Sequence, residues 1–491
     1  MKKGVKLDKT QETVKIDSYK LNVNNIVVNV DITLSRNEFV PLYTVSILNI
    51  NKITNIILHK IREEFVSRIN VGDIKIEDSS SQSAIKDKFQ KEILVLIKKY
   101  FPDVDKKTSD LLVNYLIQEN IGLGNIDILL RDKNLEDIVI NSTHEPVWVY
   151  HRKHGWLKTN VRISSESKIR HYSTMIGRDV GKEITLLKPL MDASLPSGDR
   201  VNATLSPIST SGNTISIRKF AEKPWTITDF LKEKTLSYYA AALIWLAVQN
   251  ELSILITGGT GSGKTSMLNV ISNFFPPNQR IISIEDTREL TLPDSLHWVP
   301  LETRLPNPEG KGEVTMLDLL VNSLRMRPDR IIVGEIRRKR EAEVLFEAMH
   351  TGHSVYATLH ANNARETVVR MTNPPIDIPK LMLNALSLIV VQHRDRRVGR
   401  RRTLQIAEVL PNGDPNVLLQ LDAQKDQLNQ INESQVLMET INLYTGLTPD
   451  EIRKDINEKI NILKWLVKNN ITNIHQMGLI FAKYYTKKLK H

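Results

Sequence analysis

Residues 252–265 read LSILITGGTGSGKT, an apolar run of strand length that passes straight into a match to GxxxxGKT at residues 258–265. The residues after it, TSMLNVISNF, have helical spacing. Between a buried strand and a helix start, glycines let successive backbone N–H groups turn inward on a phosphate chain. The expected nucleotide-binding residues are therefore Gly258, Gly259, Thr260, Gly261, Ser262, Gly263, Lys264, Thr265 and Ser266. Lys264 reaches the β- and γ-phosphates in such a loop and the Thr265 hydroxyl ligates Mg²⁺, so ATP and Mg²⁺ are the cofactors implied.

Hydrolysis needs more than binding: a carboxylate near the metal and a group that positions water. RIIVGEIR, residues 330–337, sets Glu335 just past a short apolar strand, where a carboxylate emerges at the C-terminal edge of a sheet beside phosphates. SIEDTRE, residues 283–289, does the same for Glu285 and Asp286 on another strand. One acid after a strand is ordinarily a solvated loop residue; two such strands flanking one P-loop favour function. Glu335 and Glu285 are thus the candidate catalytic carboxylates, and Glu335 and Thr265 the candidate metal ligands.

SVYATLHA ends a strand on His360, on the same side as both acids, the placement of a γ-phosphate sensor. His353, in the turn TGH, reads equally well as a turn residue or a functional one. Charge that builds on the γ-phosphate oxygens is relieved by guanidinium groups worth roughly 10³ to 10⁵ in rate. The candidates are Arg200, Arg218, Arg288 and Arg304. RDRRVGRRR, residues 394–402, lies between two predicted strands and reads as a solvated turn rather than a nucleic-acid patch.

The chain has 491 residues, beyond what one core normally serves, so roughly two to four domains are expected. Hydrophobic content of 41% with 25% charged residues suits a globular protein, and the absence of cysteine excludes disulfides and thiolate metal sites. A net charge of +11 favours anionic partners without choosing among nucleotide, acidic lipid and nucleic acid. The start, MKKGVKLDKTQETVK, has no apolar stretch behind its lysines and does not read as a signal peptide. YYAAALIWLAV and LMLNALSLIVV fall short of the roughly 18 residues a spanning helix needs, so a soluble chain is expected, with docking on a membrane left open.

Four domains are expected. Residues 1–80 mix alternating segments with a helix over residues 53–68, an accessory α+β domain closed by the polar linker at residues 77–83. Residues 81–225 carry two helical stripes and then strands at EDIVINS, VWVYHR and TISIRKF, with a hinge at residues 221–228. Residues 226–410 alternate buried strands (LSILITG, RIISIED, RIIVGEI, SVYATLHA, LIVVQHR) with helices, an α/β domain with a parallel sheet covered on both faces. Residues 411–491 read as a helical tail. In it Thr448 and Glu451 form a capping box with Pro449 at the first helical position, and a last helix carries Ile474, Met477, Phe481 and Tyr484.

Four boxes resemble those of the ATPases of type II and type IV secretion systems, type IV pili and archaella. GGTGSGKTS is similar to that family's P-loop, SIEDTREL to its Asp box, RMRPDRIIVGEIR to its Walker B strand and TGHSVYATLHANNA to its His box. LPSGDRVNATLSP and TISIRKFAEKPW resemble the strands and hinge that lead into the motor. LETRLPNPEGKGEVT resembles the tight-adherence pilus branch, and the lysine- and isoleucine-rich composition looks like the archaeal secretion branch. The resemblance spans residues 122–411. It implies a RecA-type ATPase domain and a homohexameric ring, with each N-domain over a neighbouring motor domain and ATP between them. By that analogy Arg200 and Arg218 reach phosphates from the N-domain side, while Arg288 and Arg304 belong to the Asp-box and interface elements. Glu335 supports Mg²⁺ and the attacking water and Glu285 is a second catalytic carboxylate, their division of labour left open. A tetracysteine zinc module, frequent in the type II branch, has no counterpart here, and RRKREAE after Glu335 supplies no further acid close behind it.

The expected function is a cytoplasmic motor, peripheral at the inner face of the cytoplasmic membrane. It uses ATP hydrolysis to drive a polytopic platform protein in filament assembly or secretion. A nucleic-acid translocase is the second reading, weakened by the lack of helicase-like motifs and of a basic stripe with interleaved aromatics, so no specific nucleic acid is expected. A nucleotide-sensing scaffold without turnover is the third, and Glu285 and Glu335 argue against it.

Overall fold

A computed structural model describes residues 13–23, 26–36, 38–47, 52–68, 82–121, 123–220, 223–306, 310–395, 397 and 399–488. The chain forms two compact units, Met1–Ala221 and Glu222–His491.

The first unit begins with an antiparallel meander, β1 (Thr13–Val23), β2 (Ile26–Ser35) and β3 (Leu42–Ile47). Three helices follow, α1 (Lys52–Arg68), α2 (Gln82–Tyr100) and α3 (Lys106–Ile121), then the short α4 (Asn125–Arg131). Strands β4 (Leu135–Ile140), β5 (Trp148–His151) and β6 (Gly155–Thr159) precede α5 (Glu166–Asp179). The unit closes with β7 (Leu190–Ser194), β8 (Arg200–Thr204) and β9 (Thr214–Arg218). All nine strands join one sheet in the order β1-β2-β3-β6-β5-β4-β9-β8-β7. Strand alternation sends Ile138, Ile140, Val149, Leu157, Val201 and Ile217 into one core.

Two expected boundaries do not hold in this unit. The accessory strands are not separate, because β3 pairs in parallel with β6 through Leu42–Lys158 and Tyr43–Thr159. Buried Asp132 then accepts hydrogen bonds from the hydroxyls of Tyr19 and Tyr43, both at 2.6 Å, which ties β1 and β3 to the rest. The break at residue 80 fails as well, since α1 packs Leu58, Ile61 and Phe65 against Ile93, Leu96 and Ile97 of α2. The expected linker at residues 77–83 lies outside the described residues up to residue 81, and α2 starts at Gln82.

The second unit opens with α6 (Ile227–Lys232) and α7 (Tyr238–Gln249), then β10 (Ile254–Gly258) and α8 (Lys264–Ser272). Next come β11 (Arg280–Glu285), β12 (His297–Glu302), α9 (Met316–Ser323), β13 (Arg330–Val333) and α10 (Lys339–His350). β14 (Ser354–Leu359), α11 (Ala364–Thr372) and β15 (Leu388–Asp395) complete the parallel part. Then follow β16 (Arg400–Val409), β17 (Pro415–Asp422), β18 (Gln427–Gln430), α12 (Leu437–Thr445), α13 (Pro449–Lys468) and α14 (Ile474–Lys488). The sheet order is β12-β11-β13-β14-β10-β15-β16-β17-β18, parallel from β12 to β15 and antiparallel beyond.

Both faces are buried, so the parallel strands are apolar without alternation. Ile254, Ile256, Ile332 and Tyr356 face a core that includes Trp245 and Leu463, while Leu255, Ile331, Val333 and Ala357 face one that includes Leu345 and Val368. The five predicted strands are β10, β11, β13, β14 and β15. The boundary at residue 411 is corrected, because β17 and β18 extend the sheet through residues expected to be a helical tail. Thr448 caps α13 through Glu451 as anticipated. The expected hinge shortens at its far end, where Thr226 and Asp229 form a capping box and Ile227 is buried, while residues 221 and 222 lie outside the described residues. Among the described residues no helix is long and apolar enough to cross a membrane.

Candidate active site

β10 delivers the chain to the P-loop and α8 takes it away. Gly261 and Gly263 adopt φ of +70° and +97°, values that L side chains rarely take. A Cβ on Gly258 would collide with the Gln392 carbonyl and the Ser262 hydroxyl, so the loop passes through a space only glycine fits. Gly263 is the N-cap of α8 and offers no side chain, which leaves the first-turn N–H groups to an outside acceptor. The Ser262 hydroxyl is buried at 2% exposure and has no hydrogen-bond partner among the described residues. An open ring of donors, a buried orphan hydroxyl and a lysine fit a phosphate chain.

Lys264 Nζ donates to the carbonyls of Gly258 (3.0 Å) and Gly259 (3.2 Å) and lies 3.4 Å from His360 Nδ1. Burial lowers its proton affinity, opposed by the charges of Glu335 and Glu289. His360 stands just past β14, with Nε2 3.0 Å from Glu335 Oε1. Burial and then the Lys264 charge hold His360 below the ordinary histidine value, opposed by the Glu335 charge. The Nε2–H tautomer suits these contacts, donating to Glu335 and leaving the Nδ1 lone pair toward the ammonium group.

Glu335 is also held from its other side, where Oε2 accepts from Arg337 Nη2 at 2.7 Å and Nε at 3.0 Å. Arg337 Nη1 meets Asp286 at 2.5 Å, so one guanidinium joins the acids of two neighbouring strands. Sequence reasoning passed over Arg337, although two residues past Glu335 in extended chain it shares that side. Glu289, whose charge acts on Lys264, was passed over too.

Glu285 is placed differently from Glu335 and His360. It ends β11 at 3% exposure, and its Oε1 accepts from the N–H groups of Glu289 (2.9 Å) and Leu290 (3.1 Å). Burial pushes its carboxyl up to about 7 against those two donors. It backs Gly334, whose Cβ would stand 3.5 Å from Glu285 Cα, but its carboxylate turns to its own loop rather than to Lys264.

Three of the four candidate arginines, Arg288, Arg304 and Arg200, have local partners. Arg288 lies over the Trp298 ring, 4.9 Å from its centre, and Arg304 donates to the Gly312 carbonyl at 2.6 Å. In the first unit Arg200 and Arg218 are a cross-strand pair, with Arg200 3.4 Å from Asp192. Both line a cavity of about 900 Å³ with Trp148 and Trp156. His353 sits 3.2 Å from the Ala348 carbonyl at the end of α10, which favours its turn role.

The arginine run at residues 394–402 is not simply a solvated turn. Arg402 pairs with Asp426 at 2.6 Å, and Arg401 Nε donates to the Gly261 carbonyl at 3.1 Å. The cause is topological: β15 pairs with β10, so the β15–β16 hairpin stands against the P-loop. Among the described residues no three His, Asp or Glu side chains cluster to hold a metal. A phosphate-bound Mg²⁺ takes only about one or two protein ligands, which Thr265 and Glu335 can supply.

The sequence profile described as type II/IV secretion system protein matches residues 124–431. An uncharacterised protein of Methanocaldococcus jannaschii is 34% identical over 393 residues, 78% of this chain and 71% of that one. The type IV secretion system protein PtlH of Bordetella pertussis is 30% identical over 312 residues, 56% of this chain and 91% of PtlH. Among solved structures, the Legionella pneumophila ATPase DotB is similar with a TM-score of 0.45 and 22% identity, covering 73% of this chain and 95% of DotB.

Proposed function

Because the chain belongs to the type II/IV secretion system protein family, we propose that it is an ATP-hydrolysing motor that powers type IV pilus-like filament assembly or secretion. It works as a homohexameric ring at the inner face of the cytoplasmic membrane, on a polytopic platform protein. The observation that carries the reading is the contiguous set Lys264, His360 and Glu335 at the end of a P-loop.

In this reading the phosphates of ATP lie on the N–H groups of residues 258–266, with the Lys264 ammonium on the β- and γ-phosphates. Thr265 and Glu335 hold Mg²⁺, which supplies Lewis-acid stabilisation of phosphate charge. Glu335 orients the attacking water and takes its proton, its carboxylate aimed by the His360 N–H and by Arg337. Glu285 is a positioning residue, since it holds the backbone of Glu289 and Leu290. Arg200, Arg218, Arg288 and Arg304 relieve transition-state charge, the first two from a neighbouring subunit.

The direct test is phosphate release by the purified chain with ATP and Mg²⁺. Lys264→Ala is expected to lower it by roughly 100-fold or more. Robust hydrolysis by that variant defeats the site assignment.

A further inference from the structure

The β15–β16 hairpin sorts its arginines by face. Strand pairing sets Arg394 directly opposite Arg401, Asp395 opposite Arg400 and His393 opposite Arg402. Alternation along β16 then divides Arg400 and Arg402 from Arg401. The first two turn to Asp426, at 3.7 Å and 2.6 Å. Arg401 turns the other way, to the Gly261 carbonyl, and its Cδ lies 3.6 Å from where a Cβ on Gly263 would stand. Arg394 Nη1 lies 2.9 Å from the corresponding point on Gly261.

Two guanidinium groups thus face each other across paired strands at the apex of the phosphate cradle. Two cationic groups beside the cradle favour phosphate charge at that place. Two further groups at this corner have unfilled hydrogen-bonding capacity among the described residues. The Gln392 side-chain oxygen and the Ser262 hydroxyl are both buried, and both residues border Gly258. The Ser262 hydroxyl can donate to a phosphate oxygen, whereas the Gln392 side-chain oxygen only accepts and takes an N–H or O–H rather than a phosphate.

The order of strands supplies a direction. β14, on one side of β10, leads to His360, and β13 beyond it leads to Glu335; β15 is on the other side. A nucleotide whose terminal phosphate meets Lys264, His360 and Glu335 has its inner phosphates and nucleoside toward the hairpin. We infer that Arg394 and Arg401 clamp the α- and β-phosphates of the nucleotide from within the subunit that supplies the P-loop. This rests on the P-loop being a nucleotide site. The clamp grips what ATP and ADP share, so it sets affinity for both and holds ADP after the γ-phosphate has left.

The test is equilibrium binding of fluorescent N-methylanthraniloyl ADP and ATP to the full chain. Arg401→Ala and Arg394→Ala are expected to weaken both nucleotides by the same factor, about 10- to 100-fold for a charge-assisted contact. The KM for ATP rises in step, by more than kcat falls. Arg401→Gln keeps a donor for the Gly261 carbonyl and drops the charge, and it is expected to bind as weakly as Arg401→Ala. Full recovery by glutamine would make Arg401 a prop for the loop and overturn the inference. Weakened ATP with unchanged ADP would place the hairpin at the γ-phosphate and overturn it too. Arg394→Gln and Arg401→Lys, checked for folding by thermal melting, carry the test if an alanine variant does not fold; glutamine weakens both nucleotides and lysine recovers part of the loss. Nucleotide binding by the wild type that is lost in Lys264→Ala yet intact in every arginine variant sinks the clamp alone. No binding by the wild type sinks the nucleotide site itself.

Discussion

Burial at 3% exposure leaves Glu285 with a carboxyl proton affinity raised from 4.5 to about 7, even though two backbone N–H groups favour its charged form. The folded state therefore binds this proton more tightly than the unfolded chain. The stability it contributes is complete below about pH 4.5 and is lost as the pH rises through about 7. Glu285→Gln removes that dependence. Urea unfolding at several pH values between these limits is expected to show the wild type losing on the order of 1–3 kcal/mol relative to Glu285→Gln. Parallel profiles for the two proteins would mean that Glu285 is not buried as a free acid. Glu335 and His360 were legible because each follows an apolar strand, and strand ends in a parallel sheet converge on one edge. Arg337, Glu289 and Arg401 were not, because their roles depend on which strands and loops are neighbours, which residue type alone does not state.

Among the elements, α13 and α14 hold the far side of the second unit's sheet through a charged group in an aromatic setting. Lys459 is fully buried, 2.6 Å from Asp455 and 5.3 Å from the centre of the Trp245 ring. Trp245 in turn stacks on Phe274 and meets Phe481 edge-on. Lys459→Ala leaves the Asp455 carboxylate buried without its cation and is expected to cost about 3–5 kcal/mol. The paired change Lys459→Met with Asp455→Leu is expected to cost far less, and urea midpoints compare them. Equal losses in the two variants would show that packing volume rather than the ion pair matters there. The helices themselves were readable from their stripes and caps. Strands β17 and β18 were not, since half-exposed sequences such as NVLLQLD lack the uninterrupted apolar character of β10 or β14.

At the scale of the whole molecule, four expected domains become two compact units, because strand pairing crosses the expected boundaries, remotely in the first unit and through a hairpin in the second. β3 meets β6 by backbone hydrogen bonds that no local pattern announces, while β17 joins β16 across the short PNGDP turn and carries the sheet past residue 411. If the ring shares sites between subunits, Arg218→Ala and Lys264→Ala, each inactive alone, are expected to complement when mixed. Random assembly at equal amounts leaves roughly a quarter of the interfaces intact, and phosphate release by the mixture reads that fraction. A mixture as inactive as its components would place Arg218 outside a shared site.

The contact between Glu335 and His360 beside Lys264 is the claim on which the motor reading stands, and Glu335→Gln tests it with little change in size. With saturating ATP and Mg²⁺, this variant is expected to bind ATP as the wild type does while releasing phosphate roughly 100-fold or more slowly. Phosphate release within about twofold of the wild type would contradict the assignment of water activation to Glu335.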